Sequence, residues 1–298
     1  MSSPDIPLGT SPKGIVAAKQ VLDVVVLHPD FDQVLNASVV AVDLVTNIRM
    51  PTGVTLMADP GMGKTLLLEM LARRLTSSDK SINTGKPVLH IALDSAVDTH
   101  KLAGKLLLAL GYPMLPTRPI LENMNHMIKK AMERLNPMAL LIDEGQHICE
   151  GNREITARAV TDWLKVRMDD HNLPVIIAGT RTLEKIYEIN PQFCSRVAAE
   201  YFINAFQFGE PWQQLLQSFV EQVKAVDLAC LSKPAISRAV FGASKSNFRR
   251  LKKLLVHSCI GAADLEVPLL TPRHLHLGYT AAFGVGSGTS NPFDRLVQ

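Results

Sequence analysis

The sequence predicts an α/β fold with a parallel sheet, followed by a smaller helical part. Over the first two thirds, short apolar runs alternate with segments of helical periodicity, and one of these runs leads directly into a Gly-rich loop and a helix. From about residue 210 only helical patterns remain. Because parallel strands need crossover connections, strands that alternate with helices are typical of a parallel sheet.

The composition is that of a globular protein with a sizeable core. Of 298 residues, 47% are hydrophobic and 20% charged, which excludes disordered, collagen-like and coiled-coil chains. The net charge of +3 neither requires nor excludes a nucleic-acid partner, and 5% aromatic residues argue against broad base-stacking surfaces. The four cysteines are widely spaced, so we expect reduced thiols, with no disulfide framework or zinc site.

No targeting or membrane segment is expected. The first 14 residues lack the apolar stretch of a signal peptide, and no apolar run approaches eighteen residues. We therefore expect a cytoplasmic protein without a membrane partner.

The predicted strands are apolar runs too short for helices. The first is GVTLMA at 53–58, and the others cover 88–93, 138–142, 174–178 and 201–206. The predicted helices show apolar residues at helical spacing; they lie within 14–49, after residue 65, and at 97–110, 121–135, 153–169, 211–226, 233–241, 245–260 and 272–283.

These elements suggest four parts. Residues 1–29 form an N-terminal arm and first helix, and residues 30–208 the α/β P-loop core. Residues 209–283 form a helical lid, and the Gly/Ser-rich residues 284–298 a flexible tail.

The loop after the first strand matches a phosphate-binding loop except at its first glycine, which is Ala58. Glycines let successive backbone N–H groups point at phosphate oxygens, the lysine reaches the β- and γ-phosphates, and the threonine hydroxyl can bind magnesium. Ala58 is unfavourable in place of glycine only if the backbone φ at that position must be positive. The alternative is a Gly-rich turn without function, but the flanking strand and helix favour a nucleotide site. The expected nucleotide-binding residues are Asp59, Pro60, Gly61, Met62, Gly63, Lys64, Thr65 and Leu66.

The run MALLIDE at 138–144 ends in two carboxylates. Asp143 suits a magnesium-holding role together with Thr65, and Glu144 suits polarisation of the attacking water. An acidic strand end could instead cap the next helix, but its position downstream of a phosphate loop favours the catalytic interpretation.

Further polar residues could complete the site. Thr180 follows the fourth strand, where it could sense the γ-phosphate, although a plain Gly-Thr turn fits equally well. Arg196 could reach a neighbouring subunit's γ-phosphate or make a surface salt bridge, and Arg181 is the other candidate for that role. Arg249 or Arg250 in the helical part could reach the nucleotide.

In this order, the motifs resemble those of AAA+ ATPases, and more narrowly the TnsC/TniB family of transposition regulators, relatives of the phage Mu B protein. The residues that carry the resemblance are LLIDEGQHI at 140–148, LPVIIAGTRTLEKIYEINPQFCSRV at 173–197 and SNPF at 290–293.

The resemblance implies an ATPase that uses ATP and magnesium and forms rings or helical filaments on duplex DNA. Such proteins link a target-selection protein of the TniQ/TnsD kind to a DDE transposase. By position, Thr180 corresponds to the sensor-one residue, Arg196 to the arginine finger and Arg249 to the sensor-two arginine. Expected DNA contacts, each of which could also be an ordinary solvated charge, are Lys101, Lys105, Arg118 and Arg153.

Two other classes remain possible. A secretion-associated ATPase of the ExeA kind would be expected to carry a peptidoglycan-binding or membrane region, and no such region is visible. A STAND-like nucleotide switch would need an effector or repeat domain, for which the chain leaves no room.

Overall fold

A computed structural model describes residues 10–26, 29–77, 86–112, 120–150, 154–265, 267–284 and 290–297. The chain divides into two compact units. One is His28–Asn204, and the other combines Met1–Leu27 with Ala205–Gln298.

The His28–Asn204 unit is built on a five-stranded parallel sheet. Its strands are β1 (Gly53–Ala58), β2 (Val88–Ala92), β3 (Ala139–Asp143), β4 (Val175–Gly179) and β5 (Ala199–Ile203), in the spatial order β2-β3-β4-β1-β5. In the register, Met57 pairs with Gly179 and with Phe202, and Ala92 pairs with Asp143. The carboxyl ends of the strands therefore lie along one edge of the sheet.

The helices, in chain order, are α1 (Pro12–Asp23), α2 (Pro29–Ile48), α3 (Lys64–Ser77), α4 (Thr99–Ala109), α5 (Leu121–Leu135), α6 (Glu154–His171), α7 (Lys185–Ile189), α8 (Pro191–Cys194), α9 (Glu210–Gln222), α10 (Pro234–Ser244), α11 (Phe248–Ala262), α12 (Pro272–Phe283) and α13 (Asp294–Val297). Short 3₁₀ turns cover Gly145–Ile148, Arg181–Glu184 and Ala229–Ser232.

Alternate strand residues define one face of the sheet. Pairs such as Leu140 and Ile142, or Val175 and Ile177, share a buried core with apolar side chains of α4, α5 and α6. Helix α3 packs against β1 to β4, and α2 packs against β1 and β5. All five residues of β3 and of β4 are buried, as expected for central strands of a covered parallel sheet.

The second unit is helical. Helix α11 packs against α1, α10 and α12, and Gln20 of α1 accepts hydrogen bonds from the backbone N–H groups of Lys224 and Ala225, both at 2.8 Å. Although the sequence suggests a separate N-terminal arm, α1 therefore lies within the helical unit.

Part of the predicted flexible tail is anchored. Phe293 is fully buried with its ring 6.3 Å from that of Tyr279, and the Asn291 side chain donates to the His276 carbonyl at 3.0 Å. A few apolar side chains at the end of a Gly/Ser-rich segment are a weak sequence signal, which is why composition alone suggests a flexible tail for residues 284–298.

The remaining differences are local. The fifth strand covers Ala199–Ile203 rather than 201–206, and the short helices α7 and α8 were not predicted. Among the described helices, none combines the length and the apolar character needed to cross a membrane.

Candidate nucleotide site

The loop between β1 and α3 has the backbone that a phosphate cradle requires. Gly61 and Gly63 have φ values of 84° and 93°, a region that favours glycine. Ala58 is the last residue of β1 and pairs with Ile203, and it is not among the described residues with positive φ. The alanine therefore occupies an extended position where glycine is not needed.

Lys64 opens helix α3 and its side chain folds back over the loop. Its Nζ donates to the Ala58 carbonyl at 2.9 Å and to the Asp59 carbonyl at 3.3 Å, and only 6% of the residue is exposed. A buried ammonium group beside the N-terminus of a helix makes this loop a favourable place for an anion.

The next residue connects the loop to β3. The Thr65 hydroxyl donates to Asp143 Oδ2 at 2.6 Å, and Asp143 is 4% exposed. A hydroxyl and a carboxylate oxygen side by side are hard ligands of the type that Mg²⁺ prefers, and phosphate oxygens and waters would supply its other ligands. These two residues fit the predicted magnesium role.

Glu144 follows at the strand end in a left-handed conformation, with φ 53° and ψ 37°. Its backbone N–H donates to Asp143 Oδ1 at 2.8 Å, and its carboxylate accepts from Gln146 Nε2 at 2.6 Å. The other end of that amide, Gln146 Oε1, accepts the backbone N–H of Thr180 at 3.1 Å. The structure thus joins the ends of β3 and β4 through one buried glutamine.

Two glycines make this close approach possible. A Cβ on Gly145 would lie 2.4 Å from Ile177 Cγ2, and one on Gly179 would lie 2.8 Å from Gln146 Oε1. Side chains at either position would force the 3₁₀ turn away from β4.

Thr180 and Arg181 lie at the same edge of the sheet as the phosphate loop, after β4. The Thr180 hydroxyl donates to the Thr182 hydroxyl at 3.3 Å. Arg181 is exposed, stacks over Phe202 at 5.1 Å and lies 3.7 Å from Glu184.

Arg196 lies at the opposite edge of the sheet, where the amino ends of the strands are. Its carbonyl accepts the N–H of Gly53, the first residue of β1, whereas the phosphate loop follows the last residue, Ala58. At about 3.3 Å per residue the two edges are about 16 Å apart, which exceeds the reach of an arginine side chain. The Arg196 guanidinium instead pairs with Asp169 of α6, with Nε 2.7 Å from Oδ1.

The two arginines of the helical unit differ. Arg250 lies 4.1 Å above the Phe283 ring and donates to the Ala243 carbonyl at 3.3 Å, so it contributes to packing. Arg249 is exposed near the start of α11, and its sensor-two role stays a prediction.

Two of the predicted DNA-contacting residues are described. Lys105 pairs with Asp94 at 3.3 Å and thereby lowers the pKa of that carboxyl, and Lys101 Nζ donates to the Ala96 carbonyl at 3.1 Å. Arg118 and Arg153 lie outside the described residues.

The family follows from a comparison with family models, in which the model for the bacterial TniB protein matches residues 18–204. The chain belongs to the TniB family.

Solved structures resemble this TniB chain in fold. The ORC2 protein of Aeropyrum pernix, in ADPNP and ADP complexes, has a TM-score of 0.64 at 14% identity, covering 84% of this chain and 68% of its own. The ORC1 protein of the same organism, in complex with DNA, has a TM-score of 0.62 at 16% identity over 91% and 69%. Cdc6p of Pyrobaculum aerophilum has a TM-score of 0.58 at 12% identity over 96% and 71%.

These similarities establish the fold, an AAA+ P-loop core followed by a helical part. The comparison with curated proteins gives no match.

Two contacts made by residues of the candidate site in this TniB chain were not predicted from the sequence. The amide bridge of Gln146 depends on the 3₁₀ turn after β3, although the Gly-Gln pair after Asp143-Glu144 offered a signal. Asp169 as partner of Arg196 could not be read from the sequence, because the two residues lie on different elements.

Proposed function

We propose that this TniB chain is an ATPase that binds duplex DNA when loaded with ATP, assembles as rings or helical filaments, and regulates transposition. Its target-selection partner is of the TniQ/TnsD kind, and its effector is a DDE transposase. The observation that carries the proposal is the adjacency of Thr65, Asp143 and Glu144 beside a phosphate loop, in a chain of the TniB family.

ATP binding falls to the loop and to the first turn of α3. The positive φ values of Gly61 and Gly63 suit a loop whose backbone N–H groups would bind the phosphates, and Lys64 would exchange its carbonyl partners Ala58 and Asp59 for phosphate oxygens. Thr65 and Asp143 would hold Mg²⁺, which when bound offsets phosphate charge.

Hydrolysis requires a water held in line with the γ-phosphate. Glu144 is the candidate that orients and polarises this water, because its carboxylate is half-buried beside Asp143, whose two oxygens already accept hydrogen bonds. Thr180 lies at the same edge of the sheet, as a residue that senses the γ-phosphate would.

The position of Arg196 supports assembly into oligomers. It lies about 16 Å from its own phosphate loop along β1, so a role in hydrolysis would place it at the nucleotide of a second copy, after release from Asp169. An arginine supplied in trans stabilises the charge of the transition state, which makes turnover depend on oligomerisation.

DNA binding is supported by the family and by two solved neighbours, ORC1 of Aeropyrum pernix in complex with DNA and Drosophila ORC bound to DNA. A regulator that coats arbitrary targets contacts phosphates rather than base edges, so its binding should tolerate sequence and weaken steeply with salt.

Fluorescence anisotropy with two unrelated duplexes tests the proposal. With a non-hydrolysable ATP analogue, the wild type should bind both duplexes with similar affinity, whereas without nucleotide, or with Lys64→Ala, the affinity should fall at least about tenfold. Equal binding with and without the analogue, or no binding at low salt, would contradict the proposal.

A further inference from the structure

Gln146 is a buried amide with no role among the proposed contacts to ATP, magnesium and water. Only 6% of it is exposed, and both ends of its side chain are occupied. One end donates to Glu144 Oε2 at 2.6 Å, and the other accepts from the Thr180 N–H at 3.1 Å.

The chemistry of the two partners fixes the amide's orientation. A carboxylate only accepts and a backbone N–H only donates, so Oε1 must face Thr180 and Nε2 must face Glu144. The flipped amide would place donor against donor and acceptor against acceptor. No other uncharged side chain of this length offers both groups, and a shorter amide could not span the two partners.

The surroundings hold this bridge in place. Gly145 and Gly179 leave no room for side chains, which keeps the 3₁₀ turn against β4. Glu144 adopts a left-handed backbone, which is unfavourable for a residue with a side chain. Such a conformation persists only where neighbouring contacts support it, and the bond from Gln146 is one of them.

We propose that Gln146 is a positioning residue that sets the carboxylate of Glu144 and couples it to Thr180. This inference rests on the proposed ATPase function. A bound γ-phosphate would draw Thr180 toward itself and thereby move the Thr180 N–H. Because Gln146 binds both this N–H and the Glu144 carboxylate, it passes the movement on to Glu144. The water-orienting group thereby responds to the presence of the γ-phosphate.

Gln146→Met tests the bridge because it keeps the length and bulk of the side chain and removes both hydrogen bonds. We expect kcat for ATP to fall roughly tenfold to a hundredfold, since small misplacements of a catalytic group have effects of that size. The Kd for ATP should stay within about twofold, because Gln146 does not belong to the phosphate loop.

Gln146→Glu is a second variant that keeps the acceptor for Thr180 but places a second carboxylate beside Glu144. The kcat of this variant should fall at least as far as that of Gln146→Met, because repulsion between the two carboxylates displaces Glu144. If Gln146→Met fails to fold, judged by its thermal melt, this variant carries the test. Gln217→Met, an exposed glutamine of α9, is the control and should leave kcat unchanged.

A double-mutant cycle separates positioning from a structural effect. In a Glu144→Gln background, Gln146→Met should change the residual single-turnover rate by less than about twofold, since the group it positions is already absent. Wild-type kcat in Gln146→Met, or an equal loss in both backgrounds, would overturn the inference. A wild type that turns over no ATP with or without DNA overturns the proposed function, and this inference with it.

Discussion

At the scale of single residues, Asp143 at the end of β3 and Glu144 directly after it differ in their surroundings. Asp143 is buried and receives hydrogen bonds from Thr65 and from the Glu144 N–H, so both of its oxygens are engaged. Glu144 is half-buried, and its carboxylate accepts a hydrogen bond from the side-chain amide of Gln146. The first arrangement suits a metal ligand, and the second suits a group that orients water.

Glu144→Gln should therefore keep ATP bound and lower kcat by roughly 10²–10⁴-fold, the range for loss of a general base. Lys64→Ala should lose ATP binding itself. Titration calorimetry and a phosphate-release assay distinguish the two. Equal turnover in wild type and Glu144→Gln would remove Glu144 from the mechanism.

Arg196→Ala should retain ATP binding and lose turnover by roughly 10³-fold if the arginine acts in trans. Mixing it with Glu144→Gln protein should restore part of the activity, because some interfaces then combine an intact arginine with an intact glutamate. Mixtures that stay inactive at every ratio, together with normal hydrolysis by Arg196→Ala alone, would direct attention to Arg181.

At the scale of elements, the strand–loop–helix unit at 53–77 could be predicted closely because its signals are local. An apolar run, two glycines, a lysine and leucines at helical spacing follow one another in sequence. The bounds of α5 and α12 were also predicted as observed, 121–135 and 272–283, since breakers flank them.

Other elements depend on contacts between distant residues. The 3₁₀ turn Gly145–Ile148 is held by β4 through Gln146, and α8 begins with Asn190 capping the Phe193 N–H and donating to Thr161 of α6. The Asn190-Pro191 and Gly145-Gln146 pairs are local signals, but the distant partners Thr161 and Thr180 are not visible in the local pattern. The sequence therefore did not predict these short helices or the Gln146 bridge.

Phe293 anchors the segment that the sequence suggests to be flexible. Phe293→Ala should destabilise the helical unit by about 3–5 kcal/mol, because a fully buried ring leaves a cavity. Chemical denaturation measures this loss, and Val297→Ala, at a 44% exposed position of α13, is the matched control. A stability change no larger than that of the control would show that the segment is not anchored.

We predict that Lys101 and Arg153 contribute to the DNA-binding surface. Replacing both with alanine should weaken binding equally on unrelated DNA sequences. The slope of log K against log salt concentration should become less steep by about one unit for each DNA phosphate that the variant no longer neutralises. Lys130→Ala with Arg134→Ala, two exposed cations of α5, removes the same charge elsewhere. An unchanged slope in the first pair would place the DNA surface elsewhere.

At the scale of the whole molecule, burial suppresses thiol ionisation. It raises the pKa of Cys149 and Cys230 to about 11 and that of Cys259 to about 12. The unfolded chain ionises these thiols near pH 9, so between pH 9 and the folded values the unfolded state binds fewer protons. Stability must then fall as the pH rises, by about 1.4 kcal/mol per pH unit for each thiol.

Urea unfolding at pH 8 and pH 10.5 measures this dependence. Cys259→Ala should be less stable than the wild type at pH 8 because of its cavity, but should lose roughly 2 kcal/mol less between the two pH values. An identical loss in both proteins would show that Cys259 ionises in the folded state.

The most direct test of the account is electron microscopy of the protein on linear duplex DNA with a non-hydrolysable ATP analogue. Rings or filaments should form on DNA with the analogue and should be absent with ADP or with Lys64→Ala, because we propose that bound ATP completes an interface to which Arg196 contributes. DNA-bound assemblies of equal abundance in all three samples, or bare DNA with the analogue, would contradict the proposed ATP-dependent assembly on DNA.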